Sequence, residues 1–375
     1  MISYAKLNTF LTEYTKRNVD NQYRPVAVGR YGIRTRESIY SKELAKDYSK
    51  NKVIFQNTLT VGMGSVQIDI GILTDDIKYS VSPAYHTYKI AGINPNYLRC
   101  CLECRNQDMF ERYVKRGSRQ GKTIDLGRWL TYEIPVCEEH EQNEIVSKLD
   151  HVDSLITARR EQLAKLDKLV KSRFIEMFGD VTLNPNAYPV RNFEDISVLI
   201  TDGEHATPHR VEEGIYLLSA RNVLNHTLQL DDVDYIDEEE YSRIARRVIP
   251  QAGDVLISCS GSIGRCCVVP NGLRFQMVRS AALIRFDNTI NPVFAEWLIT
   301  TDDLQQQIAQ SATQSSQANL FQGKIRKLRG YVPPIELQNQ FATFVEQTDK
   351  SKFEIQQSLE KLETLKKSLM QQYFG

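Results

Sequence analysis

The sequence predicts an α+β fold in which two similar sheet-containing units are separated by two long antiparallel coiled-coil helices. Three observations predict it. Residues 134–179 recur as residues 330–375 at one fixed offset of 196, aligning Gln142 with Gln338, Leu163 with Leu359, Ser172 with Ser368 and Gly179 with Gly375. Each copy carries an apolar stripe in alternating steps of three and four. The stretches ahead of the copies match more weakly, yet Ile93-Asn94-Pro95 returns as Ile290-Asn291-Pro292, and both are rich in short β-branched runs.

The 375 residues therefore divide into a first sheet-containing unit (1–133), a central helix (134–180), a second unit (181–333) and a second helix (334–375). In the first unit Lys52–Phe55, Ser65–Ile70 and Tyr85–Ile90 read as strands. This unit carries 21 basic against 13 acidic side chains, although the whole chain has 47 of each. Such a surplus suits an anionic partner, because Lys and Arg that neutralise phosphates release counterions; a merely solvated basic face is the plainer alternative. The central helix opens after Pro135, and its stripe is Ile145, Leu149, Val152, Ile156, Leu163, Leu166, Val170 and Met177, with Arg159 interrupting. The second unit has strands at Ile215–Leu218, Asp254–Ile257, Cys266–Val269 and Ala281–Ile284, and a helix from Pro292 to Ile308. Turn signals such as Asp202-Gly203, Pro270-Asn271-Gly272 and Gly261-Ser262-Ile263-Gly264 split the strands, so a mainly antiparallel sheet fits. The acidic run Asp231 to Glu240 reads as a solvated loop or helix start. The second helix follows Pro333-Pro334, with a stripe of Phe341, Val345, Ile355, Leu359, Leu362 and Leu369 interrupted by Thr348, Lys352 and Lys366. A helix of about 34 residues would be about 50 Å long, and a stripe of that length needs a partner; each helix is the obvious partner of the other.

Composition and motifs exclude several classes. Apolar residues are 41% and charged residues 25%, as in ordinary soluble proteins, so extended disorder is not expected. No window approaches a membrane span, and the first residues lack a secretory signal, which suggests a cytoplasmic protein. Seven cysteines do not form a disulfide framework. There is no phosphate-binding P-loop, no dinucleotide fingerprint, no H-E-x-x-H and no Asn-Pro-Pro-aromatic tetrapeptide of amino-methyltransferases. Cys101-Leu102-Glu103-Cys104 has metal-like spacing but no second pair, so buried helix thiols are the expectation, and no metal site or catalytic residue is assigned.

Two loops of the second unit remain open to two readings. Thr201-Asp202-Gly203-Glu204-His205-Ala206-Thr207-Pro208 is either a rigid turn, with Asp-Gly supplying positive φ, or a polar loop that presents His205 to a base or phosphate. Ser258 to Arg265 is either a tight hairpin or a small-residue loop bringing backbone N–H groups and Arg265 to phosphates.

Taken together, these features resemble the specificity (S) subunit of type I restriction–modification enzymes. The resemblance rests on Ile134-Pro135 with Glu141-Gln142 through Phe178-Gly179, on Val332 to Ile335 with Gln338 through Gly375, on the Asp202–Pro208 loop, on Leu218-Ser219-Ala220-Arg221-Asn222, on Gly253–Gly264, and on Thr313-Gln314 leading to Ile325. It covers essentially the whole chain. The first unit departs from the pattern, lacking the Asp-Gly-x-His loop and having only Thr60–Ser65 in place of the glycine hairpin.

The resemblance implies two target recognition domains, each reading one half of a split, asymmetric double-stranded DNA site, with the helices as a spacer between half-sites. It implies no catalysis by this chain and no cofactor bound to it. Two methyltransferase subunits would bring S-adenosylmethionine and methylate adenine, and two restriction and translocation subunits would bring ATP and Mg. The candidate DNA-binding residues are Arg30, Arg34, Arg36, Arg112, Lys115, Arg116, Arg119 and Lys122 in the first unit. In the second they are His205, Arg221, Asn222, Ser260, Ser262, Arg265, Arg279, Gln314, Lys324 and Arg326. A coiled-coil protein-binding adaptor, and a recognition module related to fused restriction–methylation enzymes, are the rival readings.

Overall fold

Two helices of 40 residues, Glu139–Phe178 and Ile335–Phe374, organise the computed structural model, which describes residues 3–30, 32–39, 47–117, 121–312 and 319–375. The molecule divides into two compact units, residues 1–161 with 356–375, and residues 162–355. Each unit thus takes one stretch from either long helix. In the first unit the stretches run antiparallel, with Asp153 beside Lys366 at 2.6 Å and Arg160 beside Glu363 at 2.6 Å. In the second the same sense places Asp167 beside Lys352 at 2.8 Å and the ring of Phe174 against that of Phe341 at 5.3 Å.

The apolar stripe faces inward as its period requires. Leu149, Val152, Ile156, Val170, Phe341, Val345 and Leu359 are buried, whereas Ile145, Leu163, Leu166, Met177, Ile355, Leu362 and Leu369 are partly covered. Val146, Phe174, Phe178 and Phe374 also join the buried face. The polar interruptions of the second helix lie on this face and are satisfied there. Thr348 donates to the Phe344 carbonyl at 2.9 Å, and Lys352 and Lys366 reach carboxylates of the neighbouring helix.

Both units contain a four-stranded antiparallel sheet of the same order. In the first the strands run Leu11–Glu13, His86–Ile90, Thr58–Met63, Ile68–Leu73; in the second, Ser197–Asp202, Ala281–Phe286, Val255–Ser258, Cys266–Val268. Register makes the correspondence residue by residue: Val61 faces His86, and Ser258 faces Ala281. In the second unit the strands Ile215–Leu218 and Phe275–Met277 pair in parallel. The helix expected from Pro292 to Ile308 is two helices, Pro292–Ile299 and Asp302–Ala312. At the break Thr300 and Thr301 turn their hydroxyls back onto the carbonyls of Trp297 and Leu298, satisfying acceptors at the end of the first helix.

The repeated motifs fasten sheet to helix in the same way twice. Gln142 accepts from the backbone N–H of Asn94 at 2.9 Å and donates to the Cys137 carbonyl at 2.8 Å. Its counterpart Gln338 accepts from the Asn291 N–H at 2.8 Å and donates to Pro333 at 2.7 Å and Thr289 at 3.0 Å. Asn94 and Asn291 cap the helices Pro95–Cys104 and Pro292–Ile299, where proline occupies the first turn and needs no N–H partner. Phe374 meets Tyr97 at 5.0 Å in the first unit and Phe178 meets Phe294 at 4.8 Å in the second, both edge to face.

Candidate nucleic-acid interface

In the first unit the basic candidates lie on the hairpin Val26–Gly29/Gly32–Thr35 and around the hairpin Val114–Gly117/Gly121–Ile124. Arg30 follows the first strand and Arg34 is exposed on the second; Arg36 sits half-buried just beyond, its guanidinium 5.3 Å from the ring centre of Tyr48. Arg112 pairs with Asp108 at 2.7 Å, one helical turn away, and Lys115 with Asp125 at 2.7 Å. The Lys115 hydrogen bond holds the Asp125 carboxyl below the usual carboxylate range. Lys122 donates to the Ser65 carbonyl and lies over the Phe110 ring at 5.3 Å. The side chain of Arg116, and Arg119 altogether, lie outside the described residues.

In the second unit the Asp202–Pro208 loop is built around one carboxylate. Asp202 receives His205 Nε2 on one oxygen at 2.8 Å and Arg247 on the other at 2.5 Å. Gly203 is needed here for close approach: a Cβ would stand 2.3 Å from the Met277 carbonyl oxygen. Its φ is not positive, so the Asp-Gly turn expected from sequence is replaced by a bridge between Glu204 and Val278. Glu204 donates its N–H to Met277 at 2.8 Å and accepts that of Arg279 at 3.0 Å, which sets His205 and Arg279 near one another.

The glycine-rich segment is a hairpin held by Ser258, whose hydroxyl donates to the Ser262 carbonyl at 2.7 Å and accepts the Arg265 N–H at 3.0 Å. Ser260 bridges to Asn319, Ser262 is exposed, and the Arg265 guanidinium makes no ion pair among the described residues. Arg221 is drawn to Asp234 at 2.9 Å and Asp232 at 3.7 Å. Lys324 is half-covered on a short helix, and Arg326 donates to the Ile200 carbonyl at 3.1 Å. Gln314 lies outside the described residues.

Asn222 requires correction as a DNA contact. It is fully buried, accepts from Ser219 and donates to the carbonyls of Gln229 and Asp232 at 2.9 Å each, so its amide ties loops together and is turned away from any ligand. The acidic run proves structural in the same sense: Asp237 caps the helix Glu238–Ala245, and Asp234 holds Arg210 and Arg221. Sequence reasoning missed a buried carboxylate beside the hairpin, with an exposed histidine as its neighbour. Glu296, little exposed, accepts the Val268 N–H at 3.0 Å and faces His226 at 3.3 Å, whose ring stacks on Trp297 at 4.0 Å. Nothing in local sequence joins residues that far apart.

Cys100 and Cys101 are buried on the helix Pro95–Cys104, and burial pushes the Cys100 thiol up to about 11 and the Cys101 thiol to about 12. Among the described residues no group of His, Cys, Asp and Glu is placed to hold a metal ion, and no helix is long and apolar enough to cross a membrane.

No family model matches the sequence, and no curated protein matches it. Solved structures do. The S subunit of a type I restriction–modification system from M. genitalium superposes over 100% of this chain and 96% of its own, with a TM-score of 0.60 and 14% identity. A chain from a structure concerned with assembly and conformational transition of the type I restriction–modification system superposes over 100% and 97%, with a TM-score of 0.61 and 14% identity. The HsdS subunit of Thermoanaerobacter tengcongensis aligns over 100% and 97%, with a TM-score of 0.46 and 15% identity. Over its whole length this chain has the fold of the type I restriction–modification S subunit.

Proposed function

We propose that this chain is the DNA-specificity subunit of a type I restriction–modification complex. Its two sheet-containing units each read one half of a split, asymmetric site in double-stranded DNA. The observation that carries this reading is the duplication within an S-subunit fold: the same sheet, the same Asn-capped helix and the same glutamine clamp occur twice, with different loops on each copy. Duplicated frames bearing unlike loops suit two half-sites of unlike sequence. The chain itself contributes no catalysis and binds no cofactor. Two methyltransferase subunits supply S-adenosylmethionine and methylate adenine, and two restriction and translocation subunits supply ATP and Mg. Equivalent grooves support two copies of one partner: Lys171, Phe174 and Ile175 line one in the second unit, and the repeat-related Lys367, Met370 and Gln371 line one in the first.

Phosphates are held by the exposed cations, and bases are read by Arg, Asn, Gln and His at groove edges. The test is co-expression with the partner methyltransferase subunit, followed by single-molecule sequencing of adenine methylation across a plasmid. Methylation at one split motif with a fixed spacer is the expected result, and deleting helical turns within 145–178 then changes or abolishes the spacer. A stable complex that methylates no split motif overturns the proposal in favour of a protein-binding adaptor.

A further inference from the structure

Because the two sheets share one register, places in one unit can be found in the other. Val61 opposite His86 corresponds to Ser258 opposite Ala281. Gly62 and Met63 therefore correspond to Cys259 and Ser260, and Ala84 and Tyr85 to Arg279 and Ser280. All eight line cavities: the first four wall one of about 280 Å3 in the first unit, the second four one of about 490 Å3 in the second. The fold thus makes a hollow at the same end of the same strand pair twice.

The two hollows differ in chemistry. In the first, Gly62 leaves room for the Tyr85 ring, which a Cβ would meet at 2.3 Å. That ring is fixed by its hydroxyl, donating to Val28 at 2.9 Å, while the Tyr85 carbonyl takes the Lys52 ammonium at 2.6 Å. Arg36 is the charged residue of this otherwise small and apolar wall, with Ser82 beside it. Its Nε is buried with no hydrogen-bond partner among the described residues. Burying a donor unsatisfied is costly, so a buried, unpartnered Nε–H at a cavity wall points to an acceptor supplied from outside. In the second hollow the large ring is replaced by Ser280, and the space is furnished with Arg279, His205, Asp202, Asn319 and Gln322. Asp202 and Arg247 hold His205 in place, and Gln322 spends its amide donor on Ile200. The Arg279 side chain is exposed and makes no ion pair among the described residues.

We infer that these equivalent hollows are the specificity-determining pockets of the two units, each receiving a base edge of its own half-site. The inference rests on the DNA-recognition reading above and names where that recognition is made. The first hollow offers donors without a carboxylate or amide acceptor, which fits the acceptor-only O6 and N7 edge of guanine with Arg36. The second, larger and offering both kinds of group, reads a base pair through Arg279 and His205.

The test uses the full chain co-expressed with its methyltransferase subunit, with methylation motifs read genome-wide. Arg36→Ala and Arg36→Lys are each expected to relax one guanine position in one half-site by about tenfold or more, because a lysine cannot make the bidentate contact. Arg279→Ala and His205→Ala are expected to relax a position in the other half-site, each variant leaving the opposite half unchanged. Unaltered motifs in Arg36→Ala and Arg279→Ala overturn the inference. So does a uniform loss of methylation without relaxed bases, which marks phosphate contacts. If Arg36→Ala fails to fold, Arg36→Lys decides by the same criterion. A wild-type complex with no split motif refutes the recognition reading itself, before any variant is compared.

Discussion

Replacing Gln338 by methionine removes three hydrogen bonds while nearly keeping the side chain's volume. The glutamine is fully buried, and its loss strands the Asn291 N–H and the Thr289 and Pro333 carbonyls. An unsatisfied buried group costs about 1–3 kcal/mol, and neighbouring losses are less than additive, so about 3–5 kcal/mol is expected. At roughly 2–4 °C per kcal/mol for a unit of this size, melting falls by about 6–20 °C. The sequence has 2 tryptophans, Trp129 in the first unit and Trp297 in the second, so each unit carries its own fluorescent reporter. In a Trp129→Phe background the Gln338→Met shift is read on Trp297. The matching Gln142→Met, stranding only the Asn94 N–H and the Cys137 carbonyl, is read on Trp129 in a Trp297→Phe background, with a loss of about 2–3 kcal/mol. A Gln338→Met shift worth under about 1 kcal/mol, or one as large on Trp129 in a Trp297→Phe background as on Trp297 in the Trp129→Phe background, would refute the clamp as the fastening of helix to sheet.

Three further outcomes follow from the packing. Phe374→Ala empties a fully buried site against Tyr97 and is expected to cost the first unit about 3–5 kcal/mol in urea denaturation read on Trp129. Lys352→Met places an apolar chain on the helix seam and removes a partly exposed pair with Asp167, so denaturation midpoints should move by no more than about 1 kcal/mol in either direction. Asn222→Ala should lower the melting temperature of the second unit and leave any methylated motif unchanged, since the amide spans loops rather than facing a ligand; a changed motif with unchanged stability would contradict this.

The architecture was legible where it is written as repetition. A fixed offset and a 3-4 stripe suffice for two long paired helices, because periodicity is a local property that burial then acts on. The stripe read from sequence leaves out Phe174, Phe178 and Phe374, although Phe178-Gly179 and the end of the chain recur in the repeat, since their partners Phe294, Phe341 and Tyr97 are distant in sequence. Gln142 and Gln338 stood out by recurring, but nothing in a sequence says that a glutamine is a clamp until Asn94 and Asn291 are brought beside it. The candidate site was legible only in part. Exposed cations can be picked from composition, whereas Asn222 looks like a reader of adenine and is a buried tie. Gly203 looks like a turn and is a point of close approach. In both cases a tertiary neighbour, Gln229 or Met277, decides the role.

The first unit is discontinuous, made of residues 1–161 and 356–375. During synthesis, with about 5–20 residues added per second, its helix stretch ending in Phe374 arrives on the order of 10–40 s after Glu161. Until then Tyr97 lacks its aromatic cover and Arg105 lacks the carbonyls of Phe374 and Gly375 to which it donates at 2.6 and 3.1 Å. The second unit, contiguous from 162 to 355, has everything it needs sooner. The half of the molecule made first is thus the half completed last, and a shortened chain lacking only its final turn would be defective at the end made earliest.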